Sequence, residues 1–160
     1  MKQLNSQHIK TVMQLINQSP YFQLISMQVC ELDLGYARME AQQQNKHLNP
    51  YGGVHGGVYA SLMDAAAYWS IYSELDEEAD YTTLDLQIDY LGISNAQKLI
   101  AEGRRIKTGR SIHLAQVSLH DETGKQLAYG TSKMAVINGT PTILKAMAAS
   151  GLGVLPAKFL

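Results

Sequence analysis

The segment 49–70, NPYGGVHGGVYASLMDAAAYWS, constrains the fold more than any other part of the chain. Four glycines and a histidine run into a long, Ala-rich stretch, helical in pattern from about 55 to 75, whose apolar run holds one acid, Asp64. Burying an ionised carboxylate without partners costs several kcal/mol. Between 56 and 72, Ser61, Tyr68 and Ser70 are the candidates for a wet face beside it. An acid placed this way points to a functional site more than to a surface. The glycines have two readings: they serve a turn and tight helix packing, or they give access. A helix N-terminus carries unpaired N–H groups and about half a unit of positive charge. Glycines let a ligand approach that backbone closely. Such a place suits an anion, or an oxygen that becomes negative during a reaction.

The rest of the chain supplies the wrapping. Residues 6–17 read as an amphipathic helix with Ile9, Val12, Met13 and Ile16 at helical spacing, Ser6 as N-cap and SPYF as its end. Strand-like runs follow at about 23–33 and 36–42, with Gly35 between them, and then a polar loop, QQQNKHLNPYGG. After the central helix and the charged segment SELDEEAD come four more strands, about 81–91, 97–107, 110–120 and 126–137. DETGKQ is a strong hairpin signal and TGR, 108–110, a weaker one. Consecutive hairpins give an antiparallel sheet, hence an α+β fold with the sheet wrapped around one long helix. The expected division is one domain over 1–138 and a C-terminal extension over 139–160, with a helix at 142–149.

At 160 residues the chain fits one domain with a real core. Its net charge of −1 gives no reason to expect a nucleic-acid or membrane partner. Cys30 is the only cysteine, so no internal disulfide forms. The N-terminus MKQLNSQHIK has no apolar signal core, and no stretch reaches the roughly 18 apolar residues of a membrane span. A cytoplasmic protein is the expectation. His47 and His55 lack paired ligand spacing, so neither a metal nor a cofactor is implied. GGVYASL is no nucleophile elbow.

Spacing adds a constraint. From His55 to Asp64 is nine steps, roughly 900° of rotation and about 13 Å of rise. One helix cannot easily bring both to one substrate atom. Two copies packed antiparallel across a twofold can, so if both elements are catalytic the sequence asks for a homodimer with shared sites.

Asn49, the triplet His55-Gly56-Gly57 and Asp64 stand at spacings that resemble the helix-start signature of the PaaI-like acyl-CoA thioesterases, a family of the hotdog fold. YTTLDLQIDYLGIS (81–94) is similar to that family's strand after the helix, and residues 104–134 to its last hairpins. The resemblance covers about residues 20–137. It implies a curved antiparallel sheet around the central helix, a dimer with a sheet continuous across the interface, and often a dimer of dimers. It implies hydrolysis of an acyl- or aroyl-CoA thioester. The Gly56 N–H would hold the carbonyl, His55 and Asn49 would orient that pocket, and Thr83 would position the water. Asp64 from the partner chain would be general base or nucleophile. Gly57 and Tyr68 would lie at the substrate, Tyr68 and Trp69 lining or narrowing the acyl pocket or simply packing in the core. Arg104, Arg105, Lys107 and Arg110, the only basic cluster, would take the CoA phosphates, Arg110 first among them; alternatively they form an ordinary charged edge strand.

Two other functions compete. One is a hotdog hydratase or dehydratase, against which the HGG followed by Asp64 argues. The other is a non-catalytic acyl-CoA-binding sensor on the same fold, which would gain little from a buried acid. A third reading is an enzyme whose thioester is carried on a protein instead of CoA, and the acyl group is open.

Overall fold

In the computed structural model, which describes residues 3–75, 79–137 and 143–160, the chain opens with α1 (Ser6–Asn17) and α2 (Pro20–Leu24). Strands β1 (Met27–Asp33) and β2 (Tyr36–Gln42) follow, then a single 3-10 turn at Asn45–His47. The apolar run forms α3 (Gly56–Tyr72). Strands β3 (Tyr81–Tyr90), β4 (Lys98–Thr108), β5 (Ile112–Asp121) and β6 (Gln126–Val136) come next, and α4 (Ile143–Ser150) precedes the tail. The boundary expected at 138/139 and part of SELDEEAD lie outside the described residues.

The six strands form one antiparallel sheet in the order β1-β2-β4-β5-β6-β3. α3 packs against its inner face and touches every strand. Seven of its eight buried residues, Tyr59, Leu62, Met63, Ala66, Ala67, Ser70 and Ile71, recur at three and four and mark the face pressed to the sheet. The sheet answers with small side chains, Ala37, Ala101, Ala115 and Gly103, all buried. At Gly103 the fit is closest: a Cβ there would stand 2.0 Å from the Ala66 carbonyl oxygen. No side chain fits in that space, so the helix seats only on a glycine.

Several local expectations need correcting. Asn5, not Ser6, caps α1, its side chain accepting from the Gln7 N–H at 3.0 Å. Residues 20–24, read as the end of the first helix to 22 and the start of a strand from 23, are neither. They form α2, with Ser19 as N-cap and Pro20 at the first helical position, where the missing N–H costs nothing. Ser70 is fully buried, donating to the Ala67 carbonyl at 2.7 Å, and takes no part in a wet face. The free edge of β1 is covered by Asn17, whose amide bonds the Val29 carbonyl (3.1 Å) and N–H (2.7 Å).

The last residues bind the first helix to the end of α3. Leu4 bridges Phe159, and buried His8 meets the Pro156 carbonyl and the Tyr72 hydroxyl, each at 2.7 Å. Lys158 is 2% exposed and donates from Nζ to the carbonyls of Tyr72 and Leu75. Helix C-terminal carbonyls lack intrahelical donors and carry partial negative charge, so a buried ammonium is well placed there. Gly103→Ala is expected to lower stability by about 2 kcal/mol or more, since neither backbone can yield without moving α3. Chemical denaturation with an unchanged slope is the check.

Candidate active site

α3 has a second face. Ser61, Asp64, Ala65 and Tyr68 recur at three and four on the side turned away from the sheet's centre, all partly exposed. With Trp69 they form one wall of a cleft of about 760 Å³. α2 contributes Tyr21 and Phe22, and β3 contributes Tyr81, Thr83 and Leu86. The lone acid therefore opens onto a lined cavity, with Ser61 and Tyr68 beside it as two of the three polar candidates.

A bulge in β3 makes this wall. Thr83 pairs with Met134 and Asp85 with Lys133, leaving Leu84 as the extra residue. Before the bulge, odd positions face α3; after it, even ones do, so Thr83 and Leu86 both reach the cleft. Thr83 Oγ1 donates to Asp64 Oδ1 at 3.0 Å. Burial pushes the Asp64 carboxyl above its ordinary range, and the Thr83 hydrogen bond, which favours the charged form, pulls part of the way back.

The glycine-rich segment forms a separate constellation at the start of α3. Asn49 accepts through its side-chain oxygen from the N–H groups of Tyr51 (2.9 Å) and Gly53 (3.2 Å), folding the loop on itself. Gly52, at φ +82°, completes that turn. His55 is the N-cap: its Nδ1 accepts from the Gly57 N–H at 2.8 Å. That bond uses Gly57 and leaves Gly56, the first helical residue, with no hydrogen bond to its N–H among the described residues. Tyr90 stands beside it, its hydroxyl donating to the Gly56 carbonyl at 3.2 Å. His47, 1% exposed, is structural: Nδ1 accepts from the Gln44 N–H (3.1 Å), so Nε2 donates to the Ile25 carbonyl (2.7 Å).

Within one chain these two constellations do not meet. Gly56 and Asp64 are eight residues apart on one helix, about 12 Å along its axis, and neither His55 nor Gly56 lines the Asp64 cleft. The basic cluster is also divided. Arg105 is paired with Glu74 at 2.8 Å, and Arg104 lies over the Tyr36 ring (4.6 Å) near Glu102 (3.9 Å). Lys107 and Arg110 are exposed and make no ion pair among the described residues. Their hairpin sits at the Thr83 end of the sheet, because Thr83 pairs with Met134, Met134 with His113 and His113 with Thr108. Three strand spacings separate Thr83 from Thr108, about 14 Å.

Tyr21 and Phe22 escaped the sequence reading because SPYF passed for the end of the first helix. Ser19-Pro20, an N-cap followed by a proline, was the available signal. Tyr21 bonds Ser61 across the cleft, hydroxyl to hydroxyl, at 2.6 Å.

The thioesterase superfamily model matches residues 51–128. The resemblance read from Asn49, His55-Gly56-Gly57 and Asp64 is thereby borne out at the level of family. The chain is 24% identical over 112 residues to a 1,4-dihydroxy-2-naphthoyl-CoA hydrolase of Listeria monocytogenes, covering 70% of this chain and 91% of that one. It is 23% identical over 132 residues to the medium/long-chain acyl-CoA thioesterase YigI of Escherichia coli K12, covering 73% and 85%. Among solved structures, the E. coli PaaI protein from the phenylacetic acid degradation operon superposes with a TM-score of 0.76 at 19% identity, covering 86% of this chain and 99% of that one. The fold is thus the expected hotdog, and the comparisons agree on the expected class of enzyme, a thioester hydrolase. No described helix is long and apolar enough to cross a membrane.

The Asp64 carboxyl should titrate above the exposed aspartates in a carbon-13 NMR titration. Thr83→Val removes the bond that favours the carboxylate, so its midpoint should move to still higher pH; a downward move would contradict the assigned causes.

Proposed function

We propose that the protein hydrolyses acyl-CoA thioesters at a site shared between two copies of the chain. The observation that carries this reading is the Asp64–Thr83 pair: a carboxylate raised by burial, held by one hydroxyl, and opening onto a cleft otherwise lined largely by apolar and aromatic groups. A thioester carbonyl is electrophilic enough for one carboxylate and one oriented dipole to suffice. Asp64 acts on water as general base, or attacks directly; Thr83 orients it or the water. The dipole is the unused Gly56 N–H of the second copy, at the positive end of α3, with His55 fixing the first turn and Asn49 the loop before it.

The shared site follows from the separation of Gly56 and Asp64 on one helix. β3 offers the means of pairing. It is an edge strand of ten residues with β6 as its only strand partner, and Leu84 and Tyr90 on it are more than half exposed. A long edge strand of this kind, with unpaired backbone N–H and C=O groups along one side, invites a second strand. A twofold across β3 joins two sheets and sets the cleft of one chain toward the first turn of α3 in the other. Lys107 and Arg110, which make no ion pair among the described residues, are the cations of that cluster left for the CoA phosphates, with Arg110 first.

Asp64→Ala is expected to lower kcat by about 100-fold or more on whichever acyl- or aroyl-CoA is turned over, followed by release of free thiol. Activity should fall as acidification protonates Asp64, with the midpoint above the ordinary carboxylate range. The stability effect has the opposite sign. A carboxyl whose pKa is raised by folding favours the native state only while protonated, and that advantage is lost as pH rises through its folded pKa. Asp64→Asn should therefore melt at or above the wild-type temperature at pH 7, with the difference shrinking on acidification.

Mixing two inactive variants tests the sharing. Gly56→Pro removes the N–H while keeping a residue suited to the first helical position, and His55, at φ −66° and ψ 134°, already has the backbone that precedes proline. Random reassortment with Asp64→Ala leaves one intact site in each mixed dimer, so about a quarter of wild-type activity should return. No recovery would place the whole site within one chain.

A further inference from the structure

A second cavity, about 470 Å³, lies behind the cleft and has no part in the chemistry above. Its apolar lining comes from four helices: Leu15 and Ile16 on α1, Pro20 and Phe22 on α2, Trp69 on α3, and Ile143, Ala146 and Ala149 on one face of α4. Its polar lining residues, Gln18, Ser19 and Ser150, are all neutral. Phe22 and Trp69 line this cavity and also the Asp64 cleft, so the two spaces meet at a pair of aromatic rings. Apart from Trp69, every residue of its lining lies outside the 51–128 segment that the family model matches. The family model therefore does not reach it, and the relatives named above differ in acyl group.

We infer that this cavity is a distal acyl subsite, taking the far end of a long, unbranched alkyl chain whose thioester lies at Asp64. This rests on the thioester reading of the cleft. A narrow, flexible chain can run from one space to the other past the Phe22 and Trp69 rings that line both, whereas a compact aromatic acyl group ends in the first space. The uncharged lining suits methylenes, each of which raises affinity about fourfold when fully buried. Phe22 and Trp69 then form the gate that separates short from long substrates. The C-terminal extension becomes a specificity element, because α4 supplies three of the eight apolar lining residues.

The test fills the far cavity and leaves the cleft alone. Ala146→Phe and Ala149→Phe each place a ring among α1, α2 and α4, and neither residue lines the Asp64 cleft. Ala149 is exposed enough to accept the ring without repacking, which guards against a misfolded variant. kcat/KM would be measured for wild type and both variants on saturated acyl-CoA thioesters from acetyl to palmitoyl, with melting temperatures alongside. Wild type should favour the lauroyl-to-palmitoyl range. The variants should lose about tenfold or more there, while butyryl- and hexanoyl-CoA stay within about twofold. An unshifted chain-length profile in two stably folded variants would overturn the assignment, as would a wild type active on short or aromatic thioesters alone. If no thioester is hydrolysed, the catalytic reading fails, and calorimetric titration with laurate and butyrate decides the cavity separately. Laurate binding lost in Ala146→Phe would sustain an alkyl site; no laurate binding to wild type would remove it.

Discussion

The seat of α3 on the sheet is the contact on which everything else depends. A helix with little charge along its length has to be covered on most sides, and it can be covered closely only where both surfaces are small. Ala66 and Ala67 on the helix meet Gly103, Ala101 and Ala115 on the strands, and Gly103 has no room even for a methyl group. That contact fixes the rotation of α3 about its axis. Once Leu62, Met63, Ala66 and Ser70 face the sheet, Ser61, Asp64, Ala65 and Tyr68 must face away from it. The direction of the acid is thus a consequence of packing some way from it.

The cleft is then completed from elements that have no helical relation to Asp64. The β3 bulge brings Thr83 onto the carboxylate and Leu86 beside it, and α2 brings Tyr21 and Phe22 across from them. Partial desolvation keeps the carboxylate basic and costs some stability, as is usual where a fold holds a reactive group. The opposite end of α3 is secured by the tail. Lys158 neutralises the helix C-terminus from a buried position, and His8 links the tail to Tyr72. These contacts also hold α1 against the end of α3, and α1 with α4 walls the second cavity.

Much of this was legible in the sequence. The apolar run gave the central helix, the hairpin signals gave the antiparallel sheet, and Asn49, His55-Gly56-Gly57 and Asp64 gave the family. These are local patterns or fixed spacings, which survive without knowledge of what lies opposite. What the sequence hid depended on partners distant along the chain. Ser70 looked as available as Ser61 because hydroxyl groups look alike until the helix is turned. Arg105 looked as free as Arg110 because Glu74 lies far from it in sequence. Residues 23 and 24 looked like the start of a strand because Leu24 and Ile25 suit a strand as well as one helical turn.

By itself the sequence determined that an acid stands in an apolar helix two turns beyond a glycine-rich start, and that one chain cannot easily join the two. That follows from helical pitch alone. Only the tertiary structure decided which side of the helix opens, that Thr83 holds the acid, that Gly57 is occupied and Gly56 is not, and that a second apolar space meets the cleft at Phe22 and Trp69. Each of these is set by side chains from different elements competing for the same volume and the same hydrogen-bonding groups, and that competition exists only once the chain has folded.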